Sequence, residues 1–225
     1  MVSRLQYIMK KKKTVNPTSL VVIGIIIGIL VSVAVFMFGI FPYIDTNPSR
    51  DVDIDTNKNV YLTSLAYGVL ENIRDNDFIA LSQIAHPEYG VVFTPYATIN
   101  LSTDRRFSAE QLAILNLDTH SYIWGVYNGS GEPIELTVAE YFNRFIPAGD
   151  YLDASVVGVN RIVKSGNALE NITDVFPDVK FVDFHIPGGD RDTPDEYSWS
   201  SLRLGFEEYE STLRLVVIVH SAWTA

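Results

Sequence analysis

The stretch "WSSLRLGFEEYESTLRLVVIVHSAWT", Trp199 to Thr224, decides the fold of this chain. It holds two strand-like runs separated by a polar break: Ser200–Glu208, where Leu202, Leu204 and Phe206 fall on alternate positions, and Leu213–Trp223, with Leu215, Val217 and Val219 on alternate positions of an apolar stretch. Alternation with period two is the signature of a strand with one face on a core. A two-residue turn at Glu210-Ser211 predicts a hairpin pairing Glu207 with Arg214, Arg203 with Ile218 and Ser201 with His220. That register places Leu202, Leu204 and Phe206 on one face with Leu215, Val217 and Val219. Opposite charges then meet on the other, wetter face, which carries Arg203. The turn residues depart from the Asn-Gly pair that two-residue hairpins favour.

Working back from the hairpin, strand signals recur at Lys180–Ile186, Val156–Val163, Ser121–Tyr127 and Val91–Ala97. Helical signals come earlier and are shorter. Leu62, Leu65, Ala66, Val69, Leu70 and Ile73 form one apolar stripe, predicting a helix over Asn59–Arg74 with a cap at Asn57 or Asn59. Asp75-Asn76-Asp77 interrupts it. A second helix through Phe78, Leu81 and Ile84 stops at Pro87, which drives His86 out of the helical region. Ser108 with Gln111, and Thr137 with Glu140, have capping-box spacing and predict two further helix starts, the second running over Val138–Ile146. Helices followed mostly by strands read as α+β, with a curved, mostly antiparallel sheet ending in a long hairpin.

Upstream of this domain lies a different kind of sequence. Leu20 to Ile44 is 25 residues without a charge. At about 1.5 Å per residue it spans roughly 37 Å, enough to cross a hydrocarbon core of about 30 Å. Arg4 and Lys10 to Lys13 stand directly before it, so the positive-inside rule places residues 1–19 in the cytoplasm and the C-terminal domain outside the cell membrane. A cleaved signal peptide would have a shorter apolar region, and the small-x-small sequence Ser32-Val33-Ala34 lies in mid-run. The expectation is therefore an uncleaved signal anchor. Gly24, Gly28 and Ser32 form a small-residue ridge on which two such helices could pair as a homodimer. Residues 45–58 are a polar linker. Its run Asp51 to Asp55 lacks the Gly and Glu that an EF-hand loop needs at its sixth and twelfth positions, where Thr56 and Leu62 stand.

Composition narrows the function. Five of the 17 Lys and Arg lie in the tail, so the remaining 12 face 27 acidic residues, a balance of −15. So acidic a domain has no surface for a phosphate backbone, and nucleic acid is not an expected partner. The absence of cysteine removes disulfides, thiolate metal sites and a cysteine nucleophile. Stability must come from the core.

Four segments carry a family resemblance: "HPEYGVVFTPYA" (86–97), "YIWGVYNGSGEPIELTVAEYF" (122–142), "FVDFHIPG" (181–188) and the hairpin stretch itself. Together they cover the domain from residue 59 to 225. They resemble a family of uncharacterised exported bacterial domains, and the arrangement of a paired N-terminal helix and a curved sheet looks like the NTF2-like (cystatin-like) cone. The resemblance implies fold and placement but no catalytic residues, and Glu210-Ser211 departs from the Asn-Gly turn it leads one to expect.

Candidate chemistry centres on Asp183, His185, Ser201 and His220. Asp183 and His185 share a strand face by alternation, and the hairpin register sets His220 opposite Ser201. On a curled sheet the four would share one concave pocket. Three arrangements are compatible with them. A Ser-His-Asp relay needs an oxyanion hole, and no Gly-x-Ser-x-Gly elbow is present. A zinc site needs converging ligands, and no short-spaced ligand pair or H-E-x-x-H occurs. Buried structural hydrogen bonding needs neither. The expectation is no metal, no cofactor and a noncatalytic domain that binds a ligand, peptide or envelope partner. A hydrolase-like or isomerase-like enzyme, and a purely structural component of a membrane complex whose pocket is filled, are the alternatives. The acidic loop Pro187–Tyr197 reads as a solvated connection.

Overall fold

The computed structural model describes residues 54–189 and 195–223, with side chains from Thr56 onward. The basic tail, the Leu20–Ile44 run with its Gly24, Gly28 and Ser32, most of the linker and part of the acidic loop lie outside the described residues. Among the described residues no helix is long and apolar enough to cross a membrane.

In chain order the elements are α1 (Ile54–Arg74), α2 (Phe78–Ile84), β1 (Val91–Thr94), β2 (Arg105–Phe107), α3 (Ala109–Leu112), β3 (Ser121–Val126), β4 (Pro133–Thr137), α4 (Val138–Phe145), α5 (Ala148–Leu152), β5 (Val156–Val159), α6 (Ile172–Val175), β6 (Lys180–Ile186), β7 (Ser200–Tyr209) and β8 (Thr212–Ala222). A turn of 3-10 helix, Leu115–Leu117, follows α3. The fold is α+β. Six strands form a curved mixed sheet in the order β2-β1-β8-β7-β6-β5, with β3 and β4 as a separate two-stranded ribbon. Every neighbouring pair is antiparallel except β1 with β8.

The first helix starts at Ile54, five residues before the expected Asn59, so the end of the polar linker is helical. Asn59 does not cap it; its carbonyl accepts a hydrogen bond from the Thr63 hydroxyl one turn later. Asp77 breaks the helix pair as expected, and its carboxylate caps α2 at the Ala80 N–H. Both capping boxes form, Ser108 with Gln111 and Thr137 with Glu140. Two strands had no clear signal: β2 is only three residues long, and β4 leads without a break into α4.

The hairpin is present and its turn falls at Glu210-Ser211, both at positive φ. Its register corrects the sequence reading. Glu207 pairs with Arg214 and Phe206 with Leu215, but Gly205 then pairs with Val217, skipping Val216. This one-residue bulge sets Arg203 against Val219, Leu202 against His220 and Ser201 against Ser221. A slip of one residue exchanges the two faces of a strand. Leu204 therefore meets Ile218, and Val217 and Val219 turn to the far side.

Both faces of the sheet are covered. Phe93, Val182, Phe184, Leu202, Leu204, Phe206, Leu215 and Ile218 pack against α1, α2, α4, α5 and the β3–β4 ribbon. There Trp124 of β3 stacks on Tyr141 of α4 at 3.8 Å between ring centres. A second core lies on the opposite face, where Val92, Phe181, Val216, Val217 and Val219 meet Ile172 and Phe176 of α6.

Candidate functional site

The second face also carries the polar residues. Asp183 and His185 alternate with Val182 and Phe184 along β6, and Ser201 and Arg203 stand directly across on β7. All four are buried, with Asp183, Ser201 and Arg203 at 0% exposure. The prediction that Arg203 lies on a wetter face is wrong, because the loop after β5 covers that face. The loop is turned by Asn160, in the left-handed conformation at φ +50° that asparagine tolerates. The Asn160 N–H donates to the Phe181 carbonyl and its side-chain oxygen accepts from the Phe181 N–H. Gly158, opposite Asp183, leaves no side chain in the way: a Cβ there would lie 2.3 Å from the Arg161 carbonyl oxygen. The doubled-back chain brings the Val163 N–H to Asp183 Oδ2 at 2.8 Å.

Arg203 is the hub. Its Nη1 donates to Glu170 Oε2 at 2.6 Å and its Nη2 to Asp183 Oδ2 at 3.3 Å. Glu170 comes from the covering loop, whose end is pinned by Asn171 bonding both backbone groups of Ile99. Beside this ion triad, His185 Nδ1 and Ser201 Oγ are hydrogen-bonded at 2.9 Å. Burial pushes the His185 pKa down, and Lys164 adds to this while Asp183 opposes it. The Trp199 ring packs 5.7 Å from the imidazole and carries Lys164 over its face.

The structure thus brings Asp183, His185 and Ser201 onto one face, but His220 stands apart. The Val216 bulge turns His220 to the first core, where its Nδ1–H donates to the Pro95 carbonyl at 2.9 Å and its ring meets Phe145. Burial lowers its pKa, with the Pro95 bond opposing. No Ser-His-Asp relay is assembled among the described residues: Ser201 has its imidazole, but Asp183 spends Oδ2 on Val163 and Arg203, and its buried Oδ1 has no hydrogen-bond partner. No group of three or more His, Cys, Asp or Glu among the described residues is arranged to hold a metal ion. Of the other two histidines, His86 Nδ1 accepts from the Tyr89 N–H and His120 is exposed beside Asp118.

An open concavity lies on the other side of the sheet. It is a cleft of about 430 Å³ between the α1–α2 break, the 3-10 turn, α4 and α5. Ile73, Phe78, Leu115, Phe142 and Ile146 form its floor, and Asn76, Asn116, Asn143, Asp118 and Asp150 stand at its rim. Asp118 is fixed at strand entry: it accepts from the Tyr122 hydroxyl at 2.5 Å and from the His120 N–H at 2.9 Å. The Tyr122 bond, with help from His120, holds its pKa down at about 2. Arg74, the one base in the lining, is engaged edge-on by Asp75 at 2.7 and 2.9 Å. Sequence reasoning missed this cleft. Its residues come from three separate segments, 73–78, 115–118 and 138–150, and only the Asp118-x-His120-x-Tyr122 alternation offered a local signal. Arg203 had a signal of its own, a charge inside the apolar run Leu202–Phe206.

Compared with protein-family models, with curated proteins and with solved structures, the chain has no match in any of the three.

Proposed function

We propose that this chain is a membrane-anchored, noncatalytic binding domain, held by residues 20–44 with its tail in the cytoplasm and displayed outside the cell membrane. The NTF2-like cone remains part of the proposal, supported by the quoted segments and by α1, α2, α4 and α5 packed on one face of a curved sheet whose last two strands in chain order form a long hairpin. The anchor reading is supported by the uncharged run and the lysines before it.

One observation carries the noncatalytic reading. Asp183, His185 and Ser201 are sealed from water on the covered sheet face, whereas the open cleft is lined by no Ser, Thr or His. Binding therefore belongs at the cleft, whose apolar floor and carboxamide rim suit a peptide or an amide-bearing small molecule. The filled sheet face supports a second reading, a structural component of a membrane complex.

Isotope-labelled full-length protein titrated with a panel of short peptides tests the choice. Shifts are expected at the side-chain amides of Asn76, Asn116 and Asn143. Shifts centred instead on His185 and the Trp199 indole would move the site to the sheet face. No shift with any peptide would favour the structural reading.

A further inference from the structure

The cleft has a definite chemical polarity, and from it we infer that the partner is a basic amphipathic peptide segment, with an apolar side chain on the floor and Lys or Arg side chains at the rim. The inference rests on the cleft being the binding site.

Three features select this occupant. The floor of the cleft is apolar, formed by the buried side chains Ile73, Phe78, Leu115, Phe142 and Ile146. The rim charge is negative. Asp118 and Asp150 face the cleft, while the Arg74 guanidinium is already matched by Asp75. Beyond the cleft, the acidic excess of the domain steers cations toward it and keeps anions away. Asn76, Asn116 and Asn143 supply donors and acceptors of the kind that read a peptide backbone. An acidic peptide or an anionic headgroup would meet like charge at Asp118 and Asp150, and a wholly apolar ligand would leave the exposed Asp150 unmatched, Asp118 being held already by Tyr122 and His120.

The test uses the full-length protein and two blocked hexapeptides, one alternating Leu with Lys and one alternating Leu with Glu. The Lys peptide is expected to bind with shifts at the three asparagine side chains, and its affinity should fall as salt rises. Asp150→Lys, on the exposed end of α5, should weaken it by about tenfold and leave the fold intact. Asn143→Lys, on α4, should act the same way. If the Glu peptide binds the cleft as well as the Lys peptide, or Asp150→Lys changes nothing, the basic partner is wrong while the cleft stands. If neither peptide perturbs the cleft, the cleft itself is not the site. Concentration-dependent self-association abolished by Asp150→Lys would overturn the inference in favour of a second copy of this chain.

Discussion

Arg203 lies between Leu202 and Leu204 with none of its surface in water, and its two carboxylate partners come from separate segments upstream. Cutting the guanidinium away would leave Asp183 and Glu170 buried without a counter-charge. Arg203→Met is therefore expected to destabilise the domain by about 3–5 kcal/mol in urea unfolding, as breaking a buried ion pair does. A loss below about 1 kcal/mol, the scale of a surface pair, would mean that water reaches the triad. Asp104 makes a second prediction. Burial pushes its pKa up to about 6, against the opposing bonds from Asn100, Thr94 and Thr103. The folded state then holds this proton more tightly than the unfolded chain, whose value is near 4. Asp104 therefore costs stability above pH 6, and the cost fades as pH falls toward 4. His185 and His220 act in the opposite sense. Burial depresses both, so what they contribute is present above their unfolded value of about 6.5 and is lost as pH falls through their lowered folded values. Asp104→Asn separates the two effects. The variant should melt higher than the wild type at about pH 7.5, with the gap closing toward pH 4. A constant gap would show that the carboxyl is not the titrating group.

At the scale of elements, the bulge in the final hairpin decides which residues meet. Gly205 sits where the register shifts, and a Cβ there would come within 2.6 Å of Val217 Cγ1 and 3.0 Å of Val179 Cγ2. Gly205→Ala should cost about 1–3 kcal/mol through overpacking, read from the denaturation midpoint. Thr137→Ala should cost about 1 kcal/mol by removing the α4 cap. A cost below about 0.5 kcal/mol at Gly205 would mean the second core is loosely packed. The hairpin, its turn, the helix break at Asp77 and both capping boxes were readable in the sequence, because each rests on residues only a few positions apart. The face shared by Asp183 and His185 was readable for the same reason, since alternation within one strand needs no partner. His220 was misplaced because one skipped residue, Val216, lies in a run of valines where no side chain marks the shift. Arg203 reads as a wet residue in the sequence because the cover over it, Glu170 and the turn at Asn160, comes from a loop more than 30 residues upstream. The cleft was invisible for a related reason: its three segments, 73–78, 115–118 and 138–150, meet only in the folded chain.

For the whole molecule, the proposed anchor predicts a topology. Protease added to intact cells stripped of their wall should digest the domain and spare the tail with the apolar run. Protection of the domain would reverse the proposed orientation. How the described domain assembles follows from β8. It lies in the middle of the sheet, bonded in parallel to β1 on one side and antiparallel to β7 on the other. It is also the last strand in chain order among the described residues. The β2–β1 pair and the β5–β6–β7 group therefore have no hydrogen bonds to each other until β8 arrives between them. A chain threaded outward from its N-terminus would emerge as two unfinished half-sheets, each with an open edge, for as long as it takes to deliver the residues between them. Such edges recruit other strands. On the proposed topology, the domain's exposure to misassembly is set by the pace of its export, and a holding chaperone on the far side of the membrane would act during that interval and have little to grip afterwards.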